Sequence, residues 1–423
     1  LWVSGTAACQ STRKPAMMMS ETLSQSETPY PVSAEIAAKT KKKNLDIANA
    51  RLRTYLQFDN PSQNLYEFPS DLDQIGRTEG EHSYIAIVHA DGDSVGSRLV
   101  EIGAKYSTEN NPNKAPRRLN RDYVQARRDF SIQLEQSARA AMQETLHFLL
   151  DKIKTTTDKD GNAVHYIEHR NAFGDVLPRL ELKHGKDGFY LPFRPIVFGG
   201  DDITFICDGR LGLALANHYL KRFKAETAQL LQKHTGALTA SAGVAIVKSH
   251  YPFARAYGLA ESLGKSAKTY RTELKQEYEY GGGCLDWHFA MSGLMGDLET
   301  IRAQHYQPPE GSLTMRPVTI EENPHKAYRS WEFIYDGLAQ FQDLDTLPKD
   351  GPNWSTRRNK FKALRDVLRE GSITTRQFIS SYDIGGLPHF ANSKPFEGTG
   401  WHEEYCGYYD AIELADWYMV AEV

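Results

Sequence analysis

The sequence predicts an α+β fold: a ferredoxin-like sheet followed by a helical C-terminal domain. Three observations predict it. Between residues 84 and 290, short apolar runs rich in β-formers alternate with amphipathic stretches in the order β, α, β, β, α, β, α, β. Two of those runs are joined by Gly199-Gly200-Asp201-Asp202, a tight-hairpin signal. After Ala290 the strand patterns fade and helical ones dominate. Hairpin-paired strands mixed with helical crossovers argue for an antiparallel-containing sheet with its helices on one face.

Taken in order, residues 1–35 read as irregular, with Met17-Met18-Met19 in a row. Ala34 to Leu56 is helix-like and basic; its Lys39, Lys41, Lys42 and Lys43 suit a solvated face or a phosphate contact. Tyr84 to Ala90 has the continuous apolar character of a buried strand, expected to stop at Asp91-Gly92-Asp93-Ser94-Val95-Gly96. Tyr123, Phe130, Leu134, Ala141 and Leu149 mark one face of a long helix from about Arg121 to Leu150. Residues 155–190 are polar and contain Gly, which predicts an inserted loop or hairpin, with His165 and His169 as loop positions. Pro195–Phe198 and Ile203–Cys207 are the hairpin strands. Leu213, Ala216, Leu220, Phe223 and Leu230 give a second helix, Leu238–Val247 a strand, Phe253–Tyr270 a third helix and Leu285–Ala290 a last short strand. Tyr328–Phe341 and Ser355–Arg369 are helical, and the late aromatics Trp401, Tyr405, Tyr408, Tyr409, Trp417 and Tyr418 suit core and interface. The division expected is 1–80, an irregular and helical segment; 81–290, the sheet domain; and 291–423, the helical domain.

Composition bounds the function. With 423 residues the chain is long enough for two or three domains. Its 40% hydrophobic and 25% charged content excludes wholesale disorder. A net charge of −4 excludes capture of nucleic acid by the whole surface. It leaves local faces: Arg117, Arg118, Arg121, Arg127 and Arg128 near the first long helix, or the Lys39–Lys43 run, as candidate RNA contacts. No apolar run of about 18 residues is present, so no membrane partner is expected. The four cysteines, Cys9, Cys207, Cys284 and Cys406, lie far apart without a C-x-x-C pair. That argues against a zinc ribbon or a disulfide framework and for a reducing, cytoplasmic setting. The chain opens Leu1-Trp2-Val3 with no Met, which suggests a fragment or an incomplete start.

Two acidic clusters stand at strand ends. Asp91 and Asp93 follow the first strand, and Asp201 and Asp202 occupy the hairpin tip. Either alone is ordinary turn chemistry. In a βαββ sheet, however, the first strand lies beside that hairpin, so the clusters are expected to meet. Carboxylates gathered in this way repel one another unless a cation neutralises them. All-oxygen ligands without His or Cys select Mg²⁺ or Mn²⁺. Two such ions about 3.5–4 Å apart suit nucleotidyl transfer. Gly92, Gly199 and Gly200 would let backbone N–H groups approach a triphosphate. Lys265 and Lys268, one turn apart on the third helix, are candidate phosphate partners.

Tyr84–Gly96, Pro195–Cys207, Ala240–Ala245 and Ala260–Lys268 together resemble the palm domain shared by GGDEF diguanylate cyclases and the large subunit of type III CRISPR effector complexes. Asp-Asp after the Gly-Gly turn, where the cyclases carry Glu-Phe, favours the CRISPR large subunit, as does Leu313-Thr314-Met315-Arg316-Pro317. The resemblance covers about residues 81–370 and implies a palm of the nucleotide cyclase and polymerase type. It implies that Asp91, Asp201 and Asp202 are catalytic and hold two Mg²⁺, with the Gly92 carbonyl assisting. Gly92, Asp93, Ser94, Gly199, Gly200, Lys265 and Lys268 would contact the nucleotide. It further implies ATP as substrate, cyclic oligoadenylates as products in antiviral defence, and RNA and other effector subunits as partners. The chain departs from the family in two ways. No adjacent His-Asp pair occurs, so the HD nuclease is not expected, and one palm is evident where full large subunits carry two. Three readings follow: an oligoadenylate synthase, a scaffold palm without turnover, and a GTP-using diguanylate-cyclase-like enzyme. The last is disfavoured by Asp202 and by the lack of a sensor region. Asp91 and Asp202 are expected close enough to share a cation.

Overall fold

Alternation along Tyr84–Gly92 (β1) sorts its side chains between two cores. Ala86, Val88 and Ala90 enter one, Ile85 and Ile87 the other. The structure, a computed structural model, describes residues 7–9, 12–20, 29–58, 61–75, 83–170, 176–185, 188–231, 237–290, 297–342, 354 and 357–419. After β1 come α1 (Val95–Lys105), α2 (Pro116–Asp151), β2 (Phe193–Gly199), β3 (Asp202–Asp208), α3 (Gly212–Leu230), β4 (Ala240–Lys248), α4 (Phe253–Tyr278) and β5 (Cys284–Ala290). With β6 (Val318–Thr319) they form a six-stranded sheet in the order β6-β5-β4-β1-β3-β2. The four strands β4-β1-β3-β2 are antiparallel neighbours, the ferredoxin-like order, while β5 lies parallel to β4 across the α4 crossover. The expected order of strands and helices holds, and the fold is an α+β palm.

The helices do not all share one face, as the sequence had suggested. α2 and α3 pack on each other and on the Ala86–Val88–Ala90 side; a Cβ on Gly212 would meet the Ala86 methyl at 2.4 Å. α4 instead covers the opposite face, its Ala256, Ala260 and Leu263 packing on Ile85, Ile87, Ile206, Ala245 and Val247. A parallel β4–α4–β5 unit needs a crossover, and α2 and α3 already fill the first face.

Three further expectations change. β1 does not stop at Ala90, because Ser241 and Ala240 pair with Asp91 and Gly92 and carry the strand on. The basic stretch is two helices, Ala34–Thr40 and Lys42–Leu56, broken at Lys41. Of the expected loop or hairpin at 155–190, the hairpin holds and is extended by a third strand: Lys154–Thr157, Ala163–Arg170 and Val176–Glu181 form a three-stranded antiparallel sheet. His165 is an inward position of that sheet, with its Nδ1 2.9 Å from the Tyr66 hydroxyl.

Beyond β5, α5 (Leu298–His305) places Leu298 against the core under α4, while α6 (Trp331–Gln342), α7 (Arg358–Arg369), α8 (Ser372–Ser381) and α9 (Tyr409–Leu414) share the main apolar core with the sheet. Trp287 of β5 meets Trp331 of α6 edge to face at 5.9 Å. Arg316, almost fully buried, donates to Glu413 at 2.7 Å and lies 3.4 Å from Asp410. Trp401, Tyr408, Tyr409 and Tyr418 are buried, in keeping with a core role, and all four cysteines are buried and free. Among the described residues no helix is long and apolar enough to cross a membrane.

Candidate active site

The acidic residues are placed by a backbone contact between hairpin and strand. Gly199 and Asp202 pair across a two-residue turn in which Gly200 adopts φ +76°, the left-handed region that favours glycine. The turn's next residue, Asp201, offers its carbonyl to the Gly92 N–H at 3.1 Å. A Cβ on Gly92 would sit 2.7 Å from the Asp201 Cβ, so only glycine lets the hairpin tip seat there. Gly199 has no such need, since a Cβ there would make ordinary contacts. The β1–β3 register pairs Ile203 with Ala90, so Asp202 and Asp91 lie one step further along neighbouring strands. The two acidic clusters therefore meet at one end of the sheet.

Their electrostatics follow from crowding. Burial raises the Asp201 carboxyl above its ordinary range, and the charges of Asp91 and Asp202 add to the rise. Burial also raises Asp202, with Asp91 and Glu261 pushing the same way and His89 opposing them. Asp202 Oδ1 is buried without a hydrogen-bond partner, and His89 Nδ1 stands 3.4 Å from it. Lys268 Nζ reaches across from α4 to Asp91 Oδ2 at 2.5 Å and to the Gly92 carbonyl at 3.0 Å.

Other expected site residues are placed differently. Asp93 is 2% exposed, accepting from the hydroxyls of Ser241 at 2.9 Å and Thr239 at 2.8 Å, with Arg271 Nε 3.2 Å away. Burial raises its carboxyl, and Arg271 and the two hydroxyls work against the rise. Ser94, at φ +62° before α1, accepts from Arg271 Nη2 at 3.2 Å. Asp93 and Ser94 thus brace the turn after β1 from within. Lys265 is exposed and lines a cleft of about 560 Å³ with Arg302 and Arg329, apart from the Lys268–Asp91 contact. The arginines at 117, 118, 121, 127 and 128 are exposed on the N-terminal half of α2, with Arg127 against the Tyr123 ring. Lys39 pairs with Glu35, and the side chains at 42 and 43 lie outside the described residues.

Sequence reasoning missed His89, Glu261 and Arg271. His89 was legible by alternation, two residues before Asp91 on the same strand face. Glu261 and Arg271 sit at helical spacings from Lys265 and Lys268. Nothing local marked them until α4 was seen to lie over β1.

An all-oxygen donor set and an orphaned, buried Asp202 Oδ1 fit a hard divalent cation. Among the described residues, though, no three His, Cys, Asp or Glu side chains stand together as a closed metal cluster. Asp91 is instead held by Lys268.

The sheet order and the acidic hairpin on its edge define a palm domain of the cyclase and polymerase kind. Residues 84–275 match the family model described as Cas10/Cmr2, second palm domain. Among solved structures the chain is similar to a Csm1–Csm4 cassette in complex with cA4, at 9% identity and a TM-score of 0.36, over 80% of this chain and 37% of that one. It is also similar to the cassette in complex with pppApA, at 10% identity and a TM-score of 0.37, over 79% and 36%. The chain thus spans little more than a third of the length of the Csm chains it matches. No curated protein matches it.

Proposed function

We propose that the chain is the nucleotidyl-transferring palm of a type III CRISPR effector, joining ATP into cyclic oligoadenylates with Mg²⁺ or Mn²⁺. One observation carries this reading: the Asp201–Asp202 hairpin tip is docked on Gly92 beside Asp91, with a lysine facing the same point. Bound divalent cations would supply charge neutralisation at the α-phosphate and a lowered pKa for the attacking 3′-hydroxyl. Asp91, Asp201 and Asp202 would hold them, and the open backbone around Gly199 and Gly200 admits the triphosphate. Lys268 meets the β- and γ-phosphates, and Lys265 adds charge along the same helix. Other effector subunits and RNA are the proposed partners, and the exposed arginines of α2 are a candidate RNA face.

The test is incubation with ATP and Mg²⁺, with and without candidate RNAs and partner subunits, followed by mass analysis. Cyclic or linear 3′–5′ oligoadenylates are expected. Asp201→Asn with Asp202→Asn should abolish them while leaving the circular dichroism unchanged. Relief of carboxylate repulsion should leave the variant no less stable. One observation favours the scaffold reading instead: Asp91 is engaged by Lys268 and no closed metal cluster is present among the described residues. A well-folded protein that makes no nucleotide product under any partner condition would leave the scaffold reading standing.

A further inference from the structure

We infer that Lys268 is an exchangeable occupant of the cation position in the acidic site, so that the divalent ion and the nucleotide load together rather than metal first. The inference rests on the nucleotidyl-transfer reading and deepens it. The Lys268 ammonium touches two oxygens at the end of β1, Asp91 Oδ2 at 2.5 Å and the Gly92 carbonyl at 3.0 Å. Those are the oxygens that β1 offers to a hard cation beside Asp202. An ammonium and a metal ion at the same two oxygens repel each other, so only one can stay.

The neighbouring anchor shows that this contact is the releasable one. One turn further along α4, Arg271 holds Asp93 and Ser94 from inside the turn, where the Asp93 side chain is 1% exposed and that of Arg271 12%. The Lys268 and Asp91 side chains are 33% and 40% exposed. α4 is also seated on β4 by backbone contact at Gly243, beside Ala260 and Gly264. Release of Lys268 therefore leaves the helix in place. Lysine suits such an exchange, being a point charge on a flexible four-carbon stem. An incoming phosphate gives the ammonium another anionic partner and frees Asp91 and the Gly92 carbonyl. Linkage then makes the coupling reciprocal: nucleotide raises the affinity for metal by the factor by which metal raises the affinity for nucleotide.

The experiment is titration of the nucleotide-free protein with Mn²⁺ alone, read by electron paramagnetic resonance and calorimetry, for wild type, Lys268→Met and Lys268→Gln. Both variants should bind Mn²⁺ about tenfold more tightly than wild type. Adding Asp91→Asn to Lys268→Met should remove the gain. Wild-type affinity in both variants would overturn the inference and leave the nucleotidyl-transfer reading standing, because Lys268 would then be a phosphate ligand only. Failure of both variants to bind Mn²⁺ more tightly than wild type because none of the proteins binds it, with native thermal unfolding, would likewise overturn the inference, and absence of oligoadenylate product in the ATP assay is what would overturn the nucleotidyl-transfer reading. Two lysine replacements of different polarity keep the comparison readable if one of them folds poorly.

Discussion

His288 on β5 is buried beside two arginines, and its imidazole has no room to be charged. Burial, then Arg316 and Arg302, push its pKa down to about 3, and its Nδ1 has no hydrogen-bond partner. The unfolded chain takes up this proton near pH 6.5 while the folded chain does not. His288 therefore costs nothing above pH 6.5, and its cost grows as the pH falls toward 3. At pH 4.5, two units below the unfolded pKa, the penalty is about 3 kcal/mol by linkage. His288→Gln should thus lose less stability than wild type between pH 6.5 and 4.5 in urea unfolding. Parallel pH curves would remove His288 as the source. At the same scale, the limits of sequence reading are plain in Asp91 and Asp93. Both follow β1 and either could have faced a ligand. What separates them is Ser241, Thr239 and Arg271, which lie far along the chain on β4, just before it and on α4, and claim Asp93 alone. Lys265 and Lys268 divide in the same way, because helical spacing gives a shared side but not which lysine meets Asp91.

Among the elements, α4 matters most to the site, since it carries both Lys268 and Arg271. Its distance from the sheet is set by Gly243, where a Cβ would lie 2.2 Å from the Ala260 carbonyl and 2.3 Å from the Gly264 nitrogen. Backbone cannot yield as a side chain does, so Gly243→Ala should destabilise by about 3 kcal/mol, at the upper end of overpacking costs. Gly258→Ala, on the same helix in open space, should be neutral or stabilise by about 0.5–1 kcal/mol. Chemical denaturation of the pair checks both; equal effects would mean that α4 is not seated on β4 through Gly243. The order of these elements was readable because each long apolar stripe has a period. Their ends and the smallest pieces were not. β1 runs on through Asp91 and Gly92 only because Ser241 and Ala240 pair with them. β6 is two residues long, too short for any period to show. The polar outer positions of the 154–181 sheet left a loop and a hairpin equally open, and the third strand unseen.

For the molecule as a whole, amphipathicity says that a helix buries a stripe but not which face of a sheet receives it, so the opposed placement of α4 was beyond the sequence. The shared core and the Arg316–Glu413 contact tie the last helix to the sheet. The buried, unpaired cysteines have a consequence for watching the protein move. Each thiol is silent to an alkylating reagent until its own surroundings open, so the chain carries four native reporters of local opening. Cys9 lies in a short N-terminal turn closed by local backbone contacts, its N–H donating to the Lys14 carbonyl at 2.8 Å beside the Ala8–Pro15 bridge, whereas Cys207 lies within β3, paired with a strand on both sides. Pulsed alkylation read by mass spectrometry should modify Cys9 first and Cys207 only at the rate of global unfolding. Equal rates at the two would mean that the sheet opens as readily as the N-terminal turn. Repeated with ATP and Mn²⁺ added, the same labelling pattern maps which parts of the protein tighten around the nucleotide.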